Sequence, residues 1–478
     1  MLTLEPMEVT NPSTETTEVP EQPAIVSNTV HDNGTNKLEI NNIKDDTALS
    51  EKNVEQSSEI PVNNIGTNDS EDLSVAPQKI GPLQETVDCA MSIDRQDNEE
   101  LTKESTVSTD SPELVESSKS LYNWSTTPKL LCSATEEYIP TESNENFTKG
   151  CQWSPDGTCL MVPAEDFRIR IYELPRELYS GKVPSELPLL SFKAAFSIRE
   201  GGLVYDSCWY PLMNSWDPAT CCFLSTSRES PLHLWDAFTG ELRATYRPYN
   251  QVDEVEAAIS VQFIDDGREV WCGFKGALRS FDTERPGRQK DTISFKTDFP
   301  NVNGLVSCIR ENPIVPGLIA FGTYSKCLWK DGPLCSLKTD SGVTQVEFSP
   351  CGTKLYTAVR RSNDFLCWDL RNPGVVLYSL QNRRANTNQR IQFALSNDAR
   401  EIVSGDIFTI PYPISNLQEY EEDISPVSRI RLSDDCINGV NMHKSLPILA
   451  TSSGQRLCED EERCRDNSVR LWFCQNMD

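Results

Sequence analysis

The sequence predicts an all-β protein: a ring of seven four-stranded blades, a β-propeller, preceded by a disordered acidic tail. Three observations point that way. Short strands that end in an aromatic residue recur along the chain, glycine turns stand upstream of several of them, and a spare strand precedes the first unit.

The aromatic-ended strands are Ile169-Arg170-Ile171-Tyr172, His233-Leu234-Trp235-Asp236, Arg279-Ser280-Phe281-Asp282, Cys327-Leu328-Trp329, Leu366-Cys367-Trp368-Asp369 and Arg470-Leu471-Trp472. The gaps between their aromatics are 63, 46, 48, 39 and 104 residues. Most fit the period of about 40–45 residues of a four-stranded propeller blade, and the last fits two. Six visible units and one hidden in the long gap make seven. The Trp-Asp pairs read as the mark of a WD repeat.

Upstream turns occur at Trp153-Ser154-Pro155-Asp156-Gly157, Phe263-Ile264-Asp265-Asp266-Gly267 and Phe348-Ser349-Pro350-Cys351-Gly352. Glycine supplies the positive φ that such turns need. Phe393 to Asp398 is a weaker copy and identifies the hidden unit. Each unit then reads as four strands, a to d, with the aromatic closing strand c. "SRESPLHLWDAFTGELRATYR" spans strand c, its turn and strand d of the second unit. A lone blade cannot bury both faces, so neighbours must supply the core. The seventh unit, Cys436 to Cys474, has three strands. Lys129 to Tyr138 is therefore expected to pair as its outer strand and close the ring, which leaves no loose edge. Pro411 and Pro413 argue against a normal central strand in the sixth unit.

Of 478 residues, 44 are Lys or Arg and 72 are Asp or Glu, a net charge of -28. Residues 1–128 hold 25 acids and 7 bases, a net of -18. Rich in Ser, Thr, Asn and Glu, this segment cannot bury enough apolar surface to offset its ordering entropy. The expected division is a tail over 1–125 and a propeller over 126–478. No apolar leader and no run of about 18 apolar residues occurs, so neither a secretory signal nor a membrane span is expected. The 17 cysteines fall mostly in apolar strand-like runs, without paired zinc-ligand spacing, and are read as reduced and buried.

No chemistry is expected. Only His31, His233 and His443 occur. No nucleophile motif accompanies them, no phosphate-cradling glycine loop exists, and no cofactor is implied. His233 reads as a satisfied core residue and His443 as part of an a–b turn. A propeller whose loops select a partner is the default reading.

The b–c and d–a loops share one rim. They bring Arg228, Lys275, Lys326, Arg360, Arg361, Arg383, Arg384, Arg390 and Arg456 to one face of an acidic protein. A basic concentration against the net charge is the footprint of nucleic-acid binding. Tyr249 and Tyr324 could stack unpaired bases, and Asn386, Asn388 and Gln389 could read base edges. The same charges also fit a solvated face neutralised by Glu229 or Asp253, or a site for an acidic peptide. "ERPGR", Glu284 to Arg288, lies at a c–d turn on the opposite rim.

The runs "CQWSPDGTCL", "VYDSCWYPLMNS", "LWDAFTGELRA", "ERPGR", "TNQRI" and "LPILATSSGQR" resemble the telomerase Cajal body protein family across Lys129 to Cys474. The resemblance implies a seven-bladed WD-repeat propeller that holds small Cajal-body RNAs of the box H/ACA type and takes them to Cajal bodies. In many organisms telomerase RNA is a further cargo. Dyskerin-type H/ACA particle proteins and the cytosolic chaperonin are the implied protein partners, with no DNA contact. The implied location is the nucleus and Cajal body, with some protein in the cytoplasm. Residues matching family runs, Arg228, Tyr249, Asn250, Arg371, Asn388, Gln389 and Arg390, join Lys275, Tyr324, Arg360, Arg361 and Arg456 as the expected RNA contacts.

Overall fold

The computed structural model describes residues 120–141, 145–299, 302–324, 337–372, 374, 376–405, 408–413, 423–456 and 465–475. Residues 1–119 of the tail expected over 1–125, with Lys326 and Trp329, lie outside the described residues. Among these residues the regular structure is nearly all strand, with three 3-10 turns and one short α-helix, Phe295–Asp298. No helix among them is long and apolar enough to cross a membrane.

Antiparallel sheets follow one another along the chain. The first joins Gln152–Trp153, Cys159–Pro163, Arg168–Glu173 and Phe196–Arg199. The second joins Val204–Trp209, Cys222–Ser227, Leu232–Asp236 and Leu242–Tyr246, and the third Ser260–Ile264, Glu269–Phe274, Ala277–Asp282 and Asp291–Ser294. Val306–Glu311 and Ile319–Thr323 form a two-stranded fourth sheet. The fifth contains Val343–Phe348, Lys354–Val359, Phe365–Asp369 and Val376–Leu380, with Asp423–Ile424 added in parallel outside. The sixth contains Phe393–Leu395, Glu401–Ser404, Phe408–Pro413 and Ile430–Arg431. Six sheets, counting the closing one below, thus have four strands or more, where seven four-stranded units were expected. The fourth has two among the described residues.

The first strands, or the residues flanking them, are linked in a circle. Trp209 Nε1–H donates to Gln152 O at 3.1 Å and Val261 N–H to Asp206 Oδ2 at 3.1 Å. Ser260 Oγ–H donates to Val306 O at 2.9 Å, and Ser307 Oγ–H to Val343 O at 2.6 Å. Gln345 exchanges two bonds with Phe393, Gln392 N–H donates to Asn438 O at 2.9 Å, and Trp153 N–H donates to Asn441 Oδ1 at 3.1 Å. The arrangement is a β-propeller. Apolar side chains of adjacent sheets interlock between these polar links: Tyr246, Phe263, Phe274 and Phe281 are buried together where the second and third sheets meet. Burying each such ring is worth about 1.5–3 kcal/mol.

The recurring indole has a structural cause. Trp235, Trp368 and Trp472 on third strands donate to Ser225 (2.8 Å), Thr357 (3.0 Å) and Thr451 (2.9 Å) on second strands. A buried indole N–H needs such an acceptor.

Lys129–Ala134 pairs antiparallel with Val469–Phe473, beside Ile448–Ser453 and Ile437–Met442. The strand stops at Ala134, short of the expected 138, because Glu136–Tyr138 turns as a 3-10 helix. Leu190–Ser191 adds a fifth, parallel strand outside it. Across the closing seam His443 sits over Gly157, whose φ is +78°. A Cβ there would lie 2.4 Å from His443 Nε2.

Two expectations are corrected. Residues before 126 pack on the propeller: Tyr122 and Trp124 are buried and stacked, with ring centroids 5.6 Å apart. Trp124 Nε1–H donates to Glu401 Oε2 at 2.9 Å, and Asn123 N–H to Cys474 O at 2.7 Å. Pro411 and Pro413 do lie in a third strand, paired to Val403 and Glu401. The outer neighbour Ile430–Arg431 pairs only with Phe408 and Thr409, so neither proline faces a ladder position on that side.

Candidate nucleic-acid interface

Strand alternation puts every second-to-third-strand loop and every sheet-to-sheet connection on one rim. The first strands surround a central cavity of about 720 Å³ that runs from this rim, at Tyr324, Gln389 and Arg390, to the first-to-second-strand turns of the opposite rim, at Pro155, Pro211 and Pro350. Its wall combines apolar side chains such as Trp209 and Phe348 with polar groups of mixed charge. Arg390 Nη1 lies 3.4 Å from Asp206 Oδ1, and Arg310 Nε lies 3.1 Å from Glu347 Oε2. Arg310 Nη1 also donates to Gln262 Oε1 at 2.9 Å. Burial lowers the pKa of Lys149, and Glu165, 3.7 Å away, acts against that.

One sector of this rim gathers seven of the twelve expected contacts. The Arg360 guanidinium lies over the Tyr324 ring, 3.6 Å from its centroid, a cation–π contact that holds the ring flat against the next loop. Arg361, at φ +52°, donates its backbone N–H to Thr387 O at 3.1 Å and leaves its side chain exposed. Thr387 Oγ1 in turn accepts from Gln389 N–H at 3.1 Å, and Gln389 Nε2 donates to Gly454 O at 3.1 Å. Arg456, two residues on, pairs with Glu165 at 2.7 Å but stays 68% exposed. Asn388 is exposed between these anchored neighbours. Nε of both Arg360 and Arg390 is buried without a hydrogen-bond partner among the described residues. Such donors are costly unless something accepts from them.

Other expected contacts lie elsewhere. Arg228 and Lys275 occupy the second-to-third-strand loops of the second and third sheets, on the same rim but in another sector. Arg228 is 63% exposed and pairs with neighbouring Glu229 at 3.2 Å. Tyr249 is bound to the third sheet's outer hairpin: it exchanges backbone bonds with the Gln289 amide, and Arg288 lies over its ring at 4.5 Å. Asn250 shapes its own turn, accepting from Val252 and Glu254 N–H at 2.9 and 3.0 Å. Arg371 follows the fifth sheet's third strand and pairs with Asp369 at 2.9 Å, so it belongs to the opposite rim. Arg383, expected on the rim, is wholly buried over Phe365 and donates to Ile391 O at 2.8 Å.

Sequence reasoning missed Lys149, Asp206 and Arg310. Arg310 sits in the strand "VSCIRE", where alternation from buried Cys308 turns it toward the ring interior. His233 is satisfied as expected: its Nδ1 lies 2.9 Å from Glu200 Oε2. Glu200 is fully buried and also accepts from Ser225, Ser227 and Trp235. Burial alone would raise its pKa, but the His233 bond and these hydroxyls hold it lowered.

No family model matches the chain. Over 344 residues it is 41% identical to "Telomerase Cajal body protein 1" of Mesocricetus auratus, covering 70% of this chain and 63% of that protein. The Mus musculus protein of that name is 38% identical over 383 residues, covering 74% and 70%. The Homo sapiens protein is 39% identical over 357 residues, covering 73% and 64%. The matches thus span about two thirds of the length of these relatives.

Proposed function

The chain belongs to the telomerase Cajal body protein 1 family, and from that premise we propose that it is a non-enzymatic RNA-binding propeller of seven blades. The two-stranded fourth sheet counts as the inner half of one blade. The cargo is small Cajal-body RNA of the box H/ACA type, and telomerase RNA as a further member of that class. The protein carries these RNAs to Cajal bodies in the nucleus, and is also present in the cytoplasm. Dyskerin-type particle proteins work beside it, and the cytosolic chaperonin assists its folding. A ring of non-local strand pairs folds slowly, which suits that need.

The observation that carries this reading is the sector of Tyr324, Arg360, Arg361, Asn388, Gln389, Arg390 and Arg456 beside the central cavity. Its parts suit a splayed single strand. Tyr324 and Arg360 offer planes for stacking, the Asn388 and Gln389 amides suit base edges, and exposed Arg361 and Arg456 suit phosphates. Arg228 and Lys275 extend the basic track along the rim. Crosslinking in cells followed by RNA sequencing tests the proposal. Box-type guide RNAs should be enriched with the native protein and lost with Arg360→Ala plus Arg390→Ala. No enrichment with the native protein would defeat it, and co-purification of an acidic peptide partner instead would favour a protein-only scaffold.

A further inference from the structure

The opposite rim carries a second feature that the RNA reading does not use. The first two strands of the second sheet are joined by a long loop, residues 210–221, held rigid from several sides. Asp156 of the first sheet accepts from Ser215 N–H at 2.8 Å and Ser215 Oγ–H at 2.6 Å. Asn214 accepts from Trp216 N–H at 3.0 Å. Arg243 donates to Pro218 O and Ala219 O, both at 2.7 Å, and is neutralised by Asp236 at 2.8 Å. The loop so fixed leaves Trp216 94% exposed. Phe238, in the adjoining turn after Trp235-Asp236, is 55% exposed. A rigidly presented, solvent-facing indole is the kind of residue that dominates binding when a partner covers it.

Between the loop and the first sheet lies a small cavity of about 210 Å³. Ile171, Phe196, Met213, Ala237 and Phe238 line it, together with Ser215 and Cys221. Its single charged lining residue is Glu173, which is exposed and has no ion-pair partner among the described residues. An apolar slot with one carboxylate at its edge matches the side chain of arginine or lysine. The aliphatic stem packs on the rings while the cationic head stays at the carboxylate. Exposed Asp217 and Glu241 add to the negative field.

We propose that this face docks a basic peptide segment of a protein partner, with one arginine or lysine seated beside Glu173 and an apolar neighbour against Trp216. The chain's own leading segment does not fit: its net charge of -18 over residues 1–128 opposes this surface. The site is separate from the proposed RNA rim, so each can fail without the other.

The test uses the full chain and a fluorescein-labelled peptide of alternating arginine and leucine, read by anisotropy at physiological ionic strength. Saturable binding is expected, weakened about tenfold or more in Glu173→Gln and in Trp216→Ala. Glu284→Gln, on another turn of the same rim, should bind as the native chain does and serves as the charge control. Both key residues are exposed, so melting curves should be unchanged. Guide-RNA retention should also be unchanged in Trp216→Ala. Absence of saturable binding would overturn the proposal. So would equal weakening by Glu284→Gln, full binding by Glu173→Gln, or tighter binding of an alternating glutamate–leucine peptide.

Discussion

The rim that carries Arg360 and Arg390 and the rim that carries Trp216 are made from alternate connections of the same sheets, yet they are stabilised differently. The first is held by charge and amide contacts: Arg390 to Asp206, Arg456 to Glu165, Gln389 to Gly454. Its cations are partly neutralised, and several keep exposed or unpartnered donors. The second is held by short hydroxyl and carbonyl bonds around Asp156 and Arg243, and it leaves large apolar side chains in water. The difference teaches that one ring can present a rim rich in arginine and amide groups and a rim rich in apolar and acidic groups without either disturbing the core between them.

The largest effect is expected on the polar rim. Glu200→Ala removes the acceptor shared by His233, Ser225, Ser227 and Trp235. Leaving those buried donors unmatched should cost about 3 kcal/mol, seen as a lowered urea midpoint. Little or no loss would mean that this network is not what anchors the rim.

A smaller effect is expected opposite. Burial alone would raise the Asp156 pKa, but bonds from Ser154, Ser215 and Thr158 hold it down at about 2. Asp156→Asn should cost about 1–2 kcal/mol near neutral pH. Because the folded pKa lies below the unfolded value of about 3.9, the stabilisation is full above that value. It is lost as pH falls toward the folded value of about 2. Urea midpoints near neutral pH and near pH 3, about midway through that window, should therefore show the gap between native chain and variant shrinking with acid. A gap that holds constant would contradict the carboxylate's role in fixing the Trp216 loop.

The two rims were also unequally legible in the sequence. Repeating aromatics and glycine turns reveal the ring because each reports a local need: an indole N–H seeking Ser225, Thr357 or Thr451, and a tight turn seeking positive φ. A three-stranded last unit leaves an edge that needs a partner, and Lys129–Ala134 lies along it. Tertiary placement was not legible. Arg383 lies among rim arginines in sequence, but a cation–π contact with Phe365 draws it inside. Tyr249 and Asn250 belong to a long connection that folds back on the next sheet's hairpin, a path that no local pattern encodes. Arg371 matches a family run, but it follows a third strand and so faces the other rim. Lys149, Asp206 and Arg310 were missed because cavity walls form only when the first strands of separate sheets converge.

The most direct test of the RNA-binding rim is the affinity of a box H/ACA-type guide RNA for two variants measured side by side across a salt series. Arg360→Ala plus Arg390→Ala should bind about tenfold to hundredfold more weakly, with a shallower salt dependence. Arg371→Ala, on the opposite rim, should stay within about twofold of the native chain, a difference of well under 1 kcal/mol. A loss confined to Arg371→Ala, or equal losses in both, would contradict the assignment of RNA to the Arg390 face.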